Sequence, residues 1–370
     1  MRIRVSRRHV ATSAAAAALC FAFSILATGG CRRGAETNGV ASASTPTAPG
    51  MPRVFRFGYQ KGSDSNLLKA RGTLEKRLSP LGVRVEWSNF AAGPQLLEAV
   101  GSGDVDLGST GESPVIFAQA AGTDLVYVAN TPPSGGASGA GQAIIVPQNS
   151  PIRTVRDLRG KKVAFQRASS AHNFVVQIVE RGGLKYGDIV PIYLAPPDAR
   201  PAFESGAIDA WAVWDPFLAA AQKNTSARVL VNSKGIYTSG GFYLAPRRFA
   251  REHPRVLRTA LEELDKTSAW AYNNRDEAAK LISRDTGIDL ETLRLLASRR
   301  TRTAIRPMNE EAVRAQQTVA DNFCRVGLLP ERVNVRAALL EPEEHVAIVP
   351  TKGAVQDTVR VPSKAGSPSH

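Results

Sequence analysis

Two adjacent serines precede a histidine in the segment FQRASSAHNF, residues 165–174. A serine beside a histidine can be a nucleophile with its general base, or the hydroxyls can simply hold a ligand. Ser169 and Ser170 stand three and two residues before His172, at the predicted start of a helix. The segment lacks the strained Gly-x-Ser-x-Gly turn that places a catalytic serine beside an oxyanion hole. We therefore interpret it as a ligand cradle, with His172 as a polar wall or a partner of the helix turn.

Other signatures of catalysis and of metal binding are also missing from the sequence. There is no phosphate-binding P-loop, and no Gly-x-Gly-x-x-Gly follows a predicted strand. The five histidines are scattered along the chain rather than clustered with cysteines, which is the arrangement that a zinc site needs. The sequence therefore predicts a protein that is not an enzyme and that carries no metal and no cofactor.

Two further turns resemble the serine-rich one, because each follows a predicted strand and begins a helix. They read QKGSDSN at residues 60–66 and GSTGESP at 108–114, beside QRASSAHN at 166–173. Helix N-termini carry unpaired N–H groups and a partial positive charge, so added hydroxyls make them suited to an anion. The alternative is that each hydroxyl only caps its helix. Three such turns favour a shared anion site.

A fourth motif, WAVWDPF at residues 211–217, ends a predicted strand with Trp214 and Asp215. Trp214 would form a wall of the pocket, and Asp215 would cap the next helix or face the ligand. The alternative is a core tryptophan followed by an aspartate that serves the helix alone.

The elements that must position these turns alternate between strand and helix. Alternating apolar residues predict strands at 54–59 and 83–87, with a helix between them, which indicates a parallel sheet. Parallel strands bring their carboxyl ends to one edge, where ligands bind. The stretch GSGDVDL at 101–107 is echoed by ESGAIDA at 204–210, which indicates two similarly built lobes unless the two turns are unrelated.

The chain has 370 residues, enough for two lobes, and a formal net charge of +14. The basic residues are scattered rather than gathered into a stripe with aromatics, so we expect no nucleic-acid partner.

A basic start, an uncharged apolar run and small residues predict an export signal at 1–30. Its paired arginines fit either the twin-arginine or the general secretory route. Cys31 stands where a lipoprotein cysteine would, although Thr28 replaces the usual leucine.

Six motifs, in order, resemble the aliphatic sulfonate-binding proteins of bacterial ABC importers. They are FGYQKG at 57–62, AGPQLLE at 92–98, DLGSTG at 106–111, IFAQAAG at 116–122, SSAHN at 169–173 and DAWAVWDP at 209–216. The resemblance runs from about residue 54 to 340. It is specific for the family and less so for the ligand, since taurine-, nitrate- and thiamine-precursor-binding relatives share the scaffold.

The resemblance implies an α/β protein of the type II periplasmic binding class, with two doubly wound lobes joined by a two-strand hinge. We expect lobe 1 at 53–143 and 245–340, lobe 2 at 144–244, a flexible tether at 31–52 and a disordered tail at 341–370, with crossings near 143–146 and 242–244. Carried over by motif, the ligand-binding residues are Gln60, Ser109, Thr110, Gly111, Ser169, Ser170, His172, Trp214 and Asp215. The place after Ser-Thr-Gly, often Asp in the family, is Glu112 here, and its longer side chain would change how the organic tail is held.

The implied function is capture of a sulfonate outside the cytoplasm for sulfur acquisition. The implied partners are the sulfonate and the transmembrane subunits of an ABC permease, and the chain is expected to act as a periplasmic monomer, with or without a lipid anchor at Cys31. The alternatives are binding of taurine, nitrate or another small anion, or an enzyme of the thiamine-pyrimidine-synthase kind on the same scaffold.

Overall fold

The computed structural model describes residues 47–132, 141–236, 240–302 and 304–349. The predicted export signal, Cys31 and residues 350–370 of the predicted tail lie outside these ranges, as does most of the glycine-rich stretch at 132–141. Within the described ranges, no helix is both long enough and apolar enough to cross a membrane.

The first third of the chain alternates between strand and helix, as its hydrophobic pattern predicts. Its elements are β1 (Val54–Tyr59), α1 (Asp64–Arg71), α2 (Thr73–Leu78), β2 (Arg84–Asn89), α3 (Gly93–Ser102), β3 (Leu107–Gly111), α4 (Glu112–Ala120) and β4 (Leu125–Thr131). In β1, Phe55 and Phe57 are fully buried and Arg56 between them is exposed. The alternation therefore fixes which face of the strand lies against the core.

The middle of the chain builds a second sheet, and the last third is helical. The middle elements are β5 (Gln142–Pro147), β6 (Lys162–Phe165), α5 (Ser170–Arg181), β7 (Val190–Tyr193), α6 (Pro196–Glu204), β8 (Ala210–Trp214), α7 (Phe217–Asn224) and β9 (Ala227–Asn232). After them come β10 (Gly241–Pro246), α8 (Arg247–Glu252), α9 (Pro254–Asn273), α10 (Arg275–Thr286), α11 (Leu290–Arg299), α12 (Glu310–Arg325) and α13 (Pro342–Ile348).

The two five-stranded sheets have the orders β2-β1-β3-β10-β4 and β7-β6-β8-β5-β9. Each is mixed rather than wholly parallel: β10 runs antiparallel to β3 and β4, and β5 antiparallel to β8 and β9. The chain leaves the first sheet after β4 and returns to it with β10. Strands β5 and β10 each arrive from the other sheet, on the side where the parallel strands have their carboxyl ends. They therefore run in the opposite direction to their neighbours in the sheet.

The predicted crossings need a small correction. Strand β5 lies wholly in the second sheet and β10 wholly in the first, so the chain passes between sheets before each strand rather than within it. Residues 142–143 thus belong with the second sheet and 241–244 with the first. We call the elements around the first sheet, including α8 to α13, the first lobe, and those from 141 to 236 the second lobe.

The predicted tether and tail are wrong at their inner ends. Ala48 donates its N–H to the Leu81 carbonyl at 2.9 Å, and Met51 is buried in the first-lobe core. Residues 342–348 form α13, whose Ile348 is fully buried in the same core. In both segments a lone apolar side chain, too isolated to produce a periodic pattern, anchors the backbone to the lobe.

Ile348→Ala is expected to lower the free energy of unfolding by about 2–4 kcal/mol, because it leaves a cavity in a packed core. Val346→Ala on the same helix is the matched control, since Val346 is 64% exposed and should change stability by less than about 0.5 kcal/mol. Urea denaturation of both variants measures the difference. Equal stabilities would mean that α13 does not remain docked in solution.

Candidate functional site

A cleft of about 360 Å³ lies between the lobes, at the carboxyl ends of the parallel strands. Both lobes contribute to its lining. The first lobe supplies Gln60, Lys61, Gly62, Ser63, Asp64, Ser65, Gly93, Ser109, Thr110, Gly111, Pro114, Thr131, Gly241, Phe242 and Tyr243, and the second supplies Gln142, Ser169, Ser170, Trp214 and Asp215. This is the edge that the sequence predicts for a ligand in a sheet of parallel strands.

Helix N-termini converge on the cleft. Helix α1 begins at Asp64 and α3 at Gly93, while α5 begins at Ser170, and all three residues line the cleft. Gly111, another lining residue, immediately precedes the first residue of α4. These N-termini direct N–H groups and partial positive charge towards the space between the lobes, which suits an anion.

The hydroxyls of the three turns are not simply helix caps. Ser63 does cap α1, since its Oγ accepts the Asn66 N–H at 3.1 Å. At α5, however, the Ser169 hydroxyl donates to the Gln166 carbonyl at 2.7 Å, and no described side chain caps that helix. The same holds for α4, which is preceded by Gly111. The capping alternative thus accounts for one of the three turns.

Eight of the ten sequence-predicted binding residues line the cleft, and Glu112 and His172 do not. Those that do are Gln60, Ser109, Thr110, Gly111, Ser169, Ser170, Trp214 and Asp215. The hydroxyl oxygen of Ser109 lies 3.2 Å from that of Ser65, another lining residue, and Gln60 donates to the Ser109 carbonyl at 3.3 Å. The first turn is therefore bonded to the second.

Glu112 is a contact between lobes rather than part of the lining. Its side chain is buried, and Oε1 accepts a hydrogen bond from Asn173 Nδ2 of the second lobe at 3.0 Å. Its main-chain carbonyl accepts from Gln316 of α12 at 2.8 Å. The longer carboxylate of Glu112 thus reaches across to α5, outside the lining, while its effect on how the organic tail of a ligand is held stays a prediction.

His172 does not form a wall of the cleft either. It is fully buried among aromatic rings, with Phe165 at 5.0 Å and Phe117 of the first lobe at 6.0 Å between ring centroids. Its Nδ1 accepts the Ala168 N–H at 3.2 Å, so the proton is on Nε2, which lies 2.9 Å from the Tyr186 hydroxyl. The second reading of the motif is therefore right: His172 is a partner of the helix turn.

The electrostatics of His172 agree with this structural role. Burial, with a smaller contribution from the Arg167 charge, lowers the pKa of His172 to about 3. The neutral ring holds Ala168, whose φ of 60° is left-handed and unfavourable for a residue with a Cβ. Ala168 immediately precedes Ser169 and Ser170, so His172 supports the turn that carries the cleft hydroxyls.

Asp215 bonds the start of the next helix and also lines the cleft. Its Oδ1 accepts the Ala219 N–H at 3.0 Å within the first turn of α7, and the side chain also lines the cleft. Burial raises the pKa of Asp215, while the guanidinium of Arg299 opposes that rise. Trp214 beside it lines the cleft edge-on to Phe217, with centroids 6.3 Å apart.

The arginine that pairs with Asp215 is not among the residues predicted from the sequence. Arg299 ends α11 in the first lobe, and its Nη1 lies 2.9 and 3.0 Å from the two carboxylate oxygens of Asp215 in the second. Arg299 also bonds Gln222 of α7. No local signal could have identified the pair, because the partners lie far apart along the chain and on elements of different lobes.

The lobes meet at further points around the cleft, which indicates a closed arrangement. Arg325 of α12 pairs with Glu180 of α5 through two contacts of 2.9 Å. At Gly111, a Cβ would lie 2.0 Å from Ser170 Oγ, so the Gly111 backbone lies directly against the Ser170 side chain of the second lobe. A ligand in the cleft would be enclosed by both lobes.

Comparison with known proteins gives consistent matches. The family model described as NMT1/THI5 like matches residues 81–278. An aliphatic sulfonates-binding protein of Escherichia coli (strain K12) is 41% identical over 309 residues, covering 83% of this chain and 95% of that protein. The desulfurization enzyme DSZB shares the fold at 15% identity and a TM-score of 0.56, a likeness that shows the fold alone.

Two solved structures match this chain over nearly the whole of their own length. The alkanesulfonate-binding protein SsuA from Xanthomonas axonopodis pv. citri, bound to MOPS, has a TM-score of 0.74 and 38% identity, with 78% of this chain and 99% of that one covered. The periplasmic aliphatic sulphonate binding protein SsuA from Escherichia coli has a TM-score of 0.70 and 40% identity, with 79% and 93% covered. The two-lobed α/β fold expected from the motifs is confirmed, and the chain belongs to the family of aliphatic sulfonates-binding proteins.

Proposed function

We propose that this chain is the substrate-binding component of an ABC importer and captures aliphatic sulfonates in the periplasm for sulfur acquisition. The observation that carries the proposal is the cleft itself, where uncapped helix N-termini and hydroxyls from both lobes face one space. A sulfonate is a permanent monoanion with three oxygens. It therefore suits several neutral N–H and O–H donors arranged around one head group.

The size of the cleft supports an organic ligand over an inorganic one. A volume of about 360 Å³ lies within the range of pockets that hold small organic molecules. Nitrate or sulfate would leave most of that space unfilled. Trp214 supplies apolar surface for a hydrocarbon tail, next to the polar turns that would hold the head.

The enzyme alternative finds no support in the described lining. The one histidine in the serine-rich turn is buried, neutral and bonded to the turn backbone, so it cannot serve Ser169 or Ser170 as a general base. In the described ranges no cluster of His, Cys, Asp or Glu could hold a metal ion. Binding without chemistry is the function that this arrangement supports.

The partners and location belong to the same proposal. A cleft closed by two lobes gives the loaded protein a surface that the open form lacks, and transmembrane permease subunits would recognise it. We infer that the chain works as a periplasmic monomer, exported by the twin-arginine or general secretory route and with Cys31 as a candidate lipid anchor.

A calorimetric panel of alkanesulfonates, taurine, nitrate and sulfate tests the proposal on the chain from residue 32 onward. We expect alkanesulfonates to bind and the inorganic ions to bind far more weakly or not at all. Preference for nitrate or sulfate over every sulfonate would contradict the proposed function.

Ser109→Ala and Ser170→Ala should each weaken alkanesulfonate binding by about 10- to 150-fold, because each removes a hydroxyl bond to a charged head, worth about 1.5–3 kcal/mol. Ser205→Ala, at an exposed position at the end of α6, is the matched control and should leave affinity unchanged. The same calorimetric titration reads all three variants. If only the first-lobe substitution weakens binding, the ligand sits on one lobe.

A further inference from the structure

Two successive arginines hold the two acidic side chains that line the cleft. Arg299 pairs with Asp215 of the second lobe, and Arg300 with Asp64 of the first. All four side chains are at most 18% exposed. Arg300 also donates to the Gly62 carbonyl at 3.3 Å. An anion would otherwise meet two carboxylates in a space of low dielectric constant, where like-charge repulsion is strong.

The carboxylate of Asp215 already accepts hydrogen bonds from other residues of the protein. Nη1 of Arg299 contacts both of its oxygens, and Oδ1 also accepts the Ala219 N–H. Such a pairing offsets the negative charge and uses most of the acceptor sites of the carboxylate. Asp215 therefore lines the cleft as one half of an ion pair rather than as a negative site.

Asp215 without an arginine partner and Asp215 paired with Arg299 would select different ligands. A bare carboxylate in the cleft attracts an ammonium group on the tail of a ligand and repels a sulfonate head. A masked carboxylate does neither. Resting on the proposed function, we propose that Arg299 masks Asp215, so that the cleft offers no negative site to a primary ammonium group on the tail of a small sulfonate.

Taurine and propane-1-sulfonate form the matched ligand pair for the test, because an ammonium group in one replaces a methyl group in the other. Calorimetry at pH 8, where a bare carboxylate is ionised, gives the affinity ratio of the two. Wild-type protein should favour propane-1-sulfonate. Arg299→Gln should weaken propane-1-sulfonate by roughly 10- to 100-fold and taurine by much less, so that the ratio moves towards taurine by about tenfold or more.

Two further variants separate masking from a simple loss of contact between lobes. Arg299→Gln combined with Asp215→Asn should recover propane-1-sulfonate binding and restore the wild-type ratio, since no bare charge remains. Arg325→Gln removes another bidentate pair between the lobes, away from the described lining, and should leave the ratio unchanged. Thermal unfolding confirms that each variant is folded.

The outcomes distinguish this inference from the proposed function. Equal losses for both ligands in Arg299→Gln, without recovery in the double variant, would make Arg299 a latch between lobes and overturn the masking role. Wild-type protein that binds taurine as tightly as propane-1-sulfonate would overturn it even if Arg299→Gln does not fold. If wild-type protein binds no sulfonate at all, the proposed function itself fails.

Discussion

Gly111→Val is expected to weaken sulfonate binding by roughly 1000-fold, because it keeps the lobes apart. A Cβ at this position would lie 2.0 Å from Ser170 Oγ and 3.3 Å from Ser170 Cβ, and valine adds two more carbons. The backbone φ of −73° suits any residue, so the effect is steric rather than conformational. A ligand held by one lobe loses the hydrogen bonds of the other, and two or more bonds to a charged head amount to about 3–6 kcal/mol.

Calorimetry and small-angle scattering together check this result. The wild-type radius of gyration should fall when sulfonate is added, and that of Gly111→Val should not. Gly187→Val is the matched control, because a Cβ there has no atom within 4 Å. Wild-type affinity in Gly111→Val would mean that the close approach of Gly111 and Ser170 is not part of the bound state.

A graded version of the same test uses smaller substitutions. In Gly111→Ala, the Ser170 hydroxyl can rotate away from the new methyl group, but it then leaves the cleft. Ser170→Ala should therefore cost less in the Gly111→Ala background than in wild-type protein, since neighbouring substitutions that remove the same bond are not additive. Additive losses would show that the two residues act separately.

Where the chemistry is local, the sequence predicted which residues line the cleft. The hydroxyl-rich turns at 60–66, 108–114 and 166–173 each follow a strand, and the geometry of parallel strands brings them to one edge. Trp214 and Asp215 were found for the same reason, because they end β8. Position at a strand end is a property of a few neighbouring residues, and a single sequence contains it.

The residues whose surroundings were not predicted are those that contact distant parts of the chain. The pattern Ser-Ser-x-His is the same whether the ring faces the cleft or the core. Its direction is settled by Phe117 of α4 and Phe323 of α12, which belong to the other lobe. Arg299 was missed, and the contact of Glu112 was not foreseen, because their partners Asp215 and Asn173 lie in the other lobe and far away along the chain.

The mixed sheets and the docked chain ends have related causes. The apolar run in 241–246 predicts a strand but not its direction, which depends on where the chain re-enters the first sheet. Residues 342–348 contain too few apolar side chains for a helical period to be read. Arginines of α8 and α9 hold this segment, as Arg251 pairs with Glu344 and Arg258 donates to the Ala347 carbonyl at 2.7 Å.

The free energy of unfolding should fall by about 2 kcal/mol between pH 7.5 and pH 5 because of His172 alone. Burial lowers the pKa of this ring to about 3 in the folded protein, against an ordinary value of about 6.5 in the unfolded chain. Below pH 6.5 the unfolded chain therefore binds a proton that the folded protein does not. The contribution of His172 to the free energy of unfolding is therefore fully present above that pH. It falls by up to about 1.4 kcal/mol per pH unit as the pH drops towards 3.

His172→Gln isolates this contribution, because an amide can accept the Ala168 N–H and donate to Tyr186 but does not titrate. It should be less stable than wild-type protein at pH 7.5, where ring packing against Phe165 is lost, yet its stability should decline less on acidification. Urea denaturation from pH 7.5 to 5 measures both curves.

Burial also lowers the pKa of His345, so His345→Gln serves as the comparison and should flatten the curve separately. Parallel curves for wild type and His172→Gln would mean that the ring becomes accessible to protons in the folded state, which the close contacts of Phe117 and Phe323 with it oppose.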